Sequence, residues 1–529
     1  MLTPWWKEIA YLSMRTSVIT SSPGIVLPTI AFSDTIQQAA IASKLIQSML
    51  SYHHMIIENK IPQDVYGKTK LDMFQYKLLY GTTRIPRHSI DQLKLGSDMK
   101  VWSDHIVVIR NGNPFKVKVY DQTENVISLE QLEFLLKEFV YPHSQFINPF
   151  PILAGSGGDR ETWAKIYAKM EQYNPELVES IEKALFVVNL DSKIDSNNPN
   201  SSPSYQSLSG GGKKSNSINR YFDKCIQVNV GFENQITLTN EHTVAELPPL
   251  ALLCDIIMNN FETNAFKTDS NKLKEKSVEK LNFYLDESMK INLGIALKKV
   301  DELTDKVDAT IHTFKGFGKS AIKKMQLSPD SFIQLALNLA FFKIHKNQPT
   351  TLEAVSLRKF KEGRTETIRL PTVETADFVK KVVCDNSSGT EVKNALIRGV
   401  VSHKSYTNEC INGYGMDRHL LGLRLAARDL KINLPKIFLS PIYQKMIHFQ
   451  LITSQVPTKH KIAFGFTPVH EDNYGVCYNP RQEEILFFIT APKYWKKTSS
   501  VKFVAALEES LTQMESILIN SPSLIKAKM

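Results

Sequence analysis

The sequence predicts an α/β fold built as two halves. Two observations carry this. Segments of helical periodicity alternate with short apolar runs along the whole chain. The 529 residues, 42% hydrophobic and 22% charged, have the balance of an ordinary globular protein and a length that suits about two to four domains. In 35–52, Ile36, Ala39, Ala40, Leu45, Ile46 and Met49 fall mainly on one helical face, and 129–139 and 163–173 read the same way. Strand-like runs at 106–110, 115–120, 185–190, 226–230 and 236–239 lie among them. A second half follows, with helices at 329–345, 377–384, 391–412 and 416–430. Strands at 462–466, 475–479 and 485–490 and a last helix at 501–516 complete it. The boundary is set at 290, giving units 1–290 and 291–529. The Ser-, Asn- and Gly-rich stretch 195–217 reads as a flexible surface insertion.

Composition narrows the chemistry. Lys and Arg total 64 against 54 Asp and Glu, a net charge of +10. That balance suits nucleic acid, a membrane surface or a phosphate-bearing small molecule. No zinc-finger spacing, basic zipper or RNA-binding sheet signature occurs, so no nucleic-acid partner is expected. The five cysteines are widely spaced without a Cys-x-x-Cys, which disfavours a disulfide framework or a structural zinc, and no metal is expected. The longest nearly apolar run, 332–342, is too short for a bilayer, which needs ~20 residues. The N-terminus lacks the basic and apolar regions of a signal peptide. The chain ends Ala527-Lys528-Met529, one step from the Ser-Lys-Leu peroxisomal address, so a peroxisome is expected, with a mitochondrion as the alternative.

Several constellations can carry chemistry. His242 lies between Glu241 and Glu246, just before Pro248-Pro249 and an apolar run; an imidazole there can act as a general base near neutral pH. Phe314-Lys315-Gly316-Phe317-Gly318-Lys319, with Lys323 and Lys324, sets lysines among glycines as a phosphate ligand requires. Ser328-Pro329-Asp330 is a helix start. Gly363-Arg364-Thr365-Glu366-Thr367 is strand-compatible, Arg418 can clamp a carboxylate, and the hydroxyls of Thr453-Ser454-Gln455 can serve an oxyanion.

The order of these motifs resembles the carnitine/choline acyltransferase family. Trp5-Trp6 with Tyr11, Ser22-Pro23-Gly24, Asn219-Arg220-Tyr221-Phe222-Asp223-Lys224 and Tyr474-Gly475-Val476-Cys477-Tyr478-Asn479-Pro480 extend the match over nearly the whole chain. Ala245-Glu246-Leu247-Pro248-Pro249 is similar to the Ala-Glu-Gly-Pro-Pro of the carnitine acetyltransferase branch, with Leu247 replacing Gly. The resemblance implies two chloramphenicol-acetyltransferase-like domains with mixed sheets flanked by helices, and an active-site tunnel at their interface. It implies a monomer without a tightly bound cofactor, using coenzyme A or acetyl-CoA as co-substrate and carnitine as acceptor.

The same resemblance assigns residues. His242 would be the general base, Glu246 its electrostatic support and Ser454 the oxyanion donor, with no covalent acyl-enzyme. Lys319, Lys323 and Lys324 would meet coenzyme A phosphates, joined by Asp330, Lys404 and Gln455. Thr365 and Arg418 would hold carnitine's carboxylate, whereas Trp6, Tyr11 and Phe466 would line the ammonium side. Leu352 and Ala354 belong to the substrate strand, and Phe464 would plug the acyl pocket, favouring acetyl or propionyl. Leu352 stands where the family has a tyrosine and Ile452 where it has a serine. Both changes remove polar contacts, so weaker carnitine binding is expected. The resemblance also implies a preceding stretch, with a Leu-Pro-x-Leu-Pro-like motif and helices packing on the second domain. Two other readings remain: a non-catalytic homologue that binds coenzyme A, and an acyltransferase using choline or another alcohol.

Overall fold

A computed structural model describes residues 2–30, 34–121, 123–195, 197–232, 235–268, 277–383 and 387–520. Two mixed sheets flanked by helices make up the molecule. The first has eight strands in the order Val278–Lys280, Asn113–Lys118, His105–Arg110, Val187–Leu190, Ile226–Val230, Ile236–Asn240, Gly24–Val26 and Ala463–Gly465. The second has six: Val307–Phe314, Ile485–Pro492, Tyr474–Pro480, Leu451–Gln455, Thr351–Ser356 and Thr365–Leu370. Each sheet has two parallel pairings at its centre and antiparallel ones outside.

Strand alternation explains how the first sheet is covered. Ile106 and Val108 point into a core with helices Thr35–Ile57 and Leu247–Thr263, whereas Val107 and Ile109 join Trp163, Ile166 and Met170 on the other face. In the second half, helix Pro329–His345 is buried from Ser331 to Phe341. Its polar Gln334 is tolerated because the amide donates to Thr453 Oγ1 and Tyr478 Oη, each at 2.9 Å. Ser328 caps this helix through Ser331 N–H, with Pro329 in the first turn.

Two expectations are corrected. A boundary at 290 cuts helix Glu287–Asp305, whose Met289 and Leu293 pack in the first-half core. The second half also returns Ala463–Gly465 to the first sheet. Within the stretch 195–217, residues 204–212 are buried rather than a surface insertion. Helix Pro203–Leu208 inside it is buried, and Tyr205 and Leu208 pack with Val307, Leu486 and Phe488. The small residues there serve close approach: a Cβ at Gly24 would meet Ser207 Oγ at 2.5 Å. Composition alone cannot separate a solvated polar loop from a tightly packed small-residue corner.

Among the described residues, no helix is long and apolar enough to cross a membrane. The C-terminal Ala527-Lys528-Met529 lies outside the described residues.

Candidate active site

His242 sits in the turn between strand Ile236–Asn240 and helix Leu247–Thr263. Glu246 is that helix's N-cap, and Pro248 and Pro249 occupy its first turn, where missing N–H groups cost little. His242 Nε2 lies 3.4 Å from Glu246 Oε2, and 19% of the imidazole side chain stays exposed. Protein atoms still crowd the ring enough that burial lowers its pKa below the usual histidine value. Glu246 opposes that shift and Arg364 adds to it. Glu241, the nearer carboxylate in sequence, turns away and pairs with Arg84 at 3.2 Å.

Arg364 comes from the second half and binds this turn. Its Nε meets Glu246 Oε1 at 2.6 Å, while Nη1 and Nη2 donate to the carbonyls of Thr243 and His242 at 2.5 and 3.0 Å. The candidate base therefore lies at the junction of the halves. A buried network supports it from behind. Arg84 contacts Asp91 at 2.7 Å and donates to the Tyr11 carbonyl at 2.7 Å, and Arg160 links Asp91 to Asp223. Burial pushes the Asp223 carboxyl up to about 6 even beside Arg160. Tyr11, in the widened helical turn Glu8–Leu12, packs edge-on against the His242 ring at 5.7 Å.

One residue along from Arg364, Thr365 accepts from Arg418 Nε through its carbonyl at 2.7 Å and from Nη2 through its hydroxyl at 3.4 Å. The Arg418 guanidinium forms no ion pair with a side-chain carboxylate among the described residues. It lies 4.0 Å over the Trp6 ring. The face of Trp6 is thus covered by this guanidinium, and Tyr11 has Arg364 5.5 Å over its ring. Both aromatics buttress arginines, a placement different from an open lining for an ammonium.

Sheet register gathers the substrate-strand residues. Leu352 pairs with Ile452, Ala354 with Thr367, Ser356 with Thr365 and Ser454 with Cys477. Alternation puts Leu352, Ala354, Ile452, Ser454 and Thr365 on one sheet face, with Glu353 and Thr453 on the other. Phe464 pairs with Ile25 and is buried in the first core, whereas Gly465 lies against Phe488. The void lined by Phe464, Val456, Cys477 and Phe488 is too small for a water molecule. Phe466 packs against the same core.

Of the residues expected to bind coenzyme A, Asp330, Lys404 and Gln455 line one cavity of about 440 Å³, together with the substrate-strand Ala354, and Lys319 lines another of about 680 Å³. Pro457 belongs to both linings, so the cavities adjoin. Lys323 and Lys324 are exposed on the short helix Lys319–Lys324 and line neither. Asp330 Oδ1 accepts from Tyr478 Oη at 2.6 Å, and Glu353 bonds His403 at 2.8 Å. Burial pushes both carboxyls up to about 7. Asp330, Glu353 and His403 are close enough to share a cation, but their hydrogen bonds already join them to Tyr478 and Ser331. Arg364, Glu353 and His403 were not foreseen. For Arg364 a signal existed, since it immediately precedes Thr365 in a motif already singled out.

The choline/carnitine O-acyltransferase family model matches residues 1–509. Carnitine O-acetyltransferase of Columba livia is 34% identical over 98% of this chain and 84% of its own length, and the Homo sapiens enzyme gives the same figures. Choline O-acetyltransferase of Sus scrofa is 29% identical over 99% of this chain and 83% of its own length. Among solved structures, the wax ester synthase/diacylglycerol acyltransferase of Marinobacter aquaeolei VT8 aligns over 94% of each chain with a TM-score of 0.34 and 9% identity. With the family model covering nearly its full length, the chain belongs to the choline/carnitine O-acyltransferase family.

Proposed function

We propose that this protein transfers a short acyl group reversibly between coenzyme A and the hydroxyl of carnitine, with His242 as general base. The Arg418 guanidinium, which makes no side-chain ion pair among the described residues, is the observation that supports the choice of acceptor. A cation held by a carbonyl, a hydroxyl and an aromatic face gains from a carboxylate, which carnitine has and choline lacks.

His242 takes the proton from the carnitine hydroxyl as its oxygen attacks the thioester carbonyl carbon. Glu246, 3.4 Å away, stabilises the imidazolium that forms. The oxyanion of the tetrahedral intermediate is served by Ser454. Collapse breaks the carbon–sulfur bond, and the departing thiolate receives the proton from His242. No covalent acyl-enzyme is needed. The filled space around Phe464 supports acetyl or propionyl as the acyl group.

The test is thiol release from acetyl-CoA on adding carnitine or choline, in wild type and His242→Ala. Carnitine-dependent release that His242→Ala abolishes, with coenzyme A binding retained, is expected. Coenzyme A binding without turnover would identify a non-catalytic homologue, and faster release with choline would overturn the acceptor. We further propose a peroxisomal address in the last three residues; a reporter carrying the last ten that stays diffuse would reject it.

A further inference from the structure

The first half contributes a small element to the cavity that holds Asp330, Lys404 and Gln455. Strands Val65–Tyr66 and Thr69–Lys70 form a two-stranded hairpin, separate from both main sheets. Tyr66 and the adjoining Leu71 are the cavity's lining residues from the first half; the other lining residues come from the second.

The hairpin is fixed at its base and open at its tip. Asp64 accepts from Arg358 Nη2 at 2.7 Å and from Tyr76 Oη at 2.6 Å, and Arg358 Nε donates to the Asp72 carbonyl at 2.8 Å. Gln63 ties the two ends by donating to the carbonyls of Asp64 and Leu71. At the tip, Gly67 has φ +58° and open space where a side chain would stand. Tyr66 reaches across to the second half: its hydroxyl donates to Asn408 Oδ1 at 3.3 Å, and Lys359 Nζ lies 4.9 Å over its ring. Tyr66 as a whole is nevertheless 45% exposed. Lys359 and Lys404 line the cavity, and Lys68 and Lys70 stand exposed on the hairpin.

An aromatic ring on an anchored hairpin, half-covered at the rim of a cavity that two lysines line, with Lys359 over it, suits a ligand that is both elongated and phosphorylated. We propose that this hairpin is a clamp for the coenzyme and that Tyr66 is a further coenzyme-binding residue, its ring roofing the bound chain while the lysines face the phosphates. The proposal rests on the coenzyme A reading above. Because Tyr66 and Leu71 belong to one half and the remaining walls to the other, the coenzyme would bridge both halves.

The experiment is calorimetric titration of the full chain with coenzyme A, for wild type, Tyr66→Ala and Tyr66→Phe, alongside the KM for carnitine. Removing the ring is expected to weaken coenzyme A binding about tenfold. Phenylalanine keeps the roof and is expected to stay within about twofold, since it loses only one long, exposed hydrogen bond. Carnitine KM is expected to stay unchanged. Unaltered coenzyme A affinity in Tyr66→Ala would overturn the proposal, as would an equal loss in Tyr66→Phe. Wild-type protein that binds coenzyme A without turnover would remove the functional reading and leave the clamp standing. Wild-type protein that binds no coenzyme A would overturn both. Tyr66 is exposed, so its truncation should leave the circular dichroism spectrum and Tm as in wild type.

Discussion

Replacing Arg364 with alanine should damage catalysis without touching either substrate pocket directly. The side chain is 5% exposed and serves three acceptors: Glu246, at 2.6 Å, and the carbonyls of Thr243 and His242. Its removal strands the Glu246 carboxylate, itself only 13% exposed, and frees the turn that carries His242. Breaking a buried pair from one side costs about 3–5 kcal/mol. Displacing a positioned group by about 1 Å can cost about 100-fold in rate. The expected result is a kcat down by about 100-fold, with the KM for acetyl-CoA unchanged. The pH profile adds a readout that a merely loosened fold would not give. The proposed base works when neutral, and Arg364 helps hold the His242 pKa down, so its loss should move the acid limb of kcat/KM to higher pH. Thiol release followed across pH measures both effects, and circular dichroism confirms folding. Arg364→Lys should fall between, because an ammonium restores charge without the planar fork. Wild-type kcat and an unmoved acid limb in folded Arg364→Ala would refute the argument.

Further outcomes follow from the same geometry. Arg418→Ala should lose a charged contact of about 1.5–3 kcal/mol, raising the carnitine KM about 10- to 100-fold and leaving any choline rate unchanged, as an acceptor panel would show. Phe464→Ala should open the filled acyl space and raise the relative rate with longer acyl-CoAs, at about 3–5 kcal/mol of stability, read by denaturant melts. Asp330 and Glu353, raised to about 7, hold protons in the folded state that the unfolded chain releases nearer 4. Their contribution is therefore present at low pH and is lost as pH rises through about 7. Asp330→Asn should flatten that part of the Tm-against-pH curve, and an unchanged slope would reject the assignment.

Much of this was legible in sequence where local rules decide. Helix Pro329–His345 was expected at the same bounds because Ser328 and Pro329 mark its start and an apolar run fills it. Strand Ile226–Val230 was likewise expected as observed. Val307–Phe314 and Thr351–Ser356 were missed, since Asp308, Thr310 and His312 on a half-buried face and the buried Glu353 dilute the strand pattern. The order of motifs singles out His242, Thr365 and Arg418, the last two of which the fold brings into contact. It was silent on Arg364, whose partner Glu246 is 118 residues away and meets it only after both halves fold. It was equally silent on the Arg418–Trp6 and Arg364–Tyr11 contacts, because which cation a ring receives is decided by tertiary packing.

The strand Ala463–Gly465 has a consequence for how the molecule is made. It hydrogen-bonds to Gly24–Val26, so the last strand of the first sheet is synthesised long after the other seven. Until residue 465 leaves the ribosome, Gly24–Val26 presents an open edge, the kind of surface that recruits foreign strands. The nascent first half must wait for its own distant C-terminal segment or be shielded meanwhile. Once that strand docks, it sews the halves together, and separating them means stripping a strand from a sheet as well as parting two surfaces.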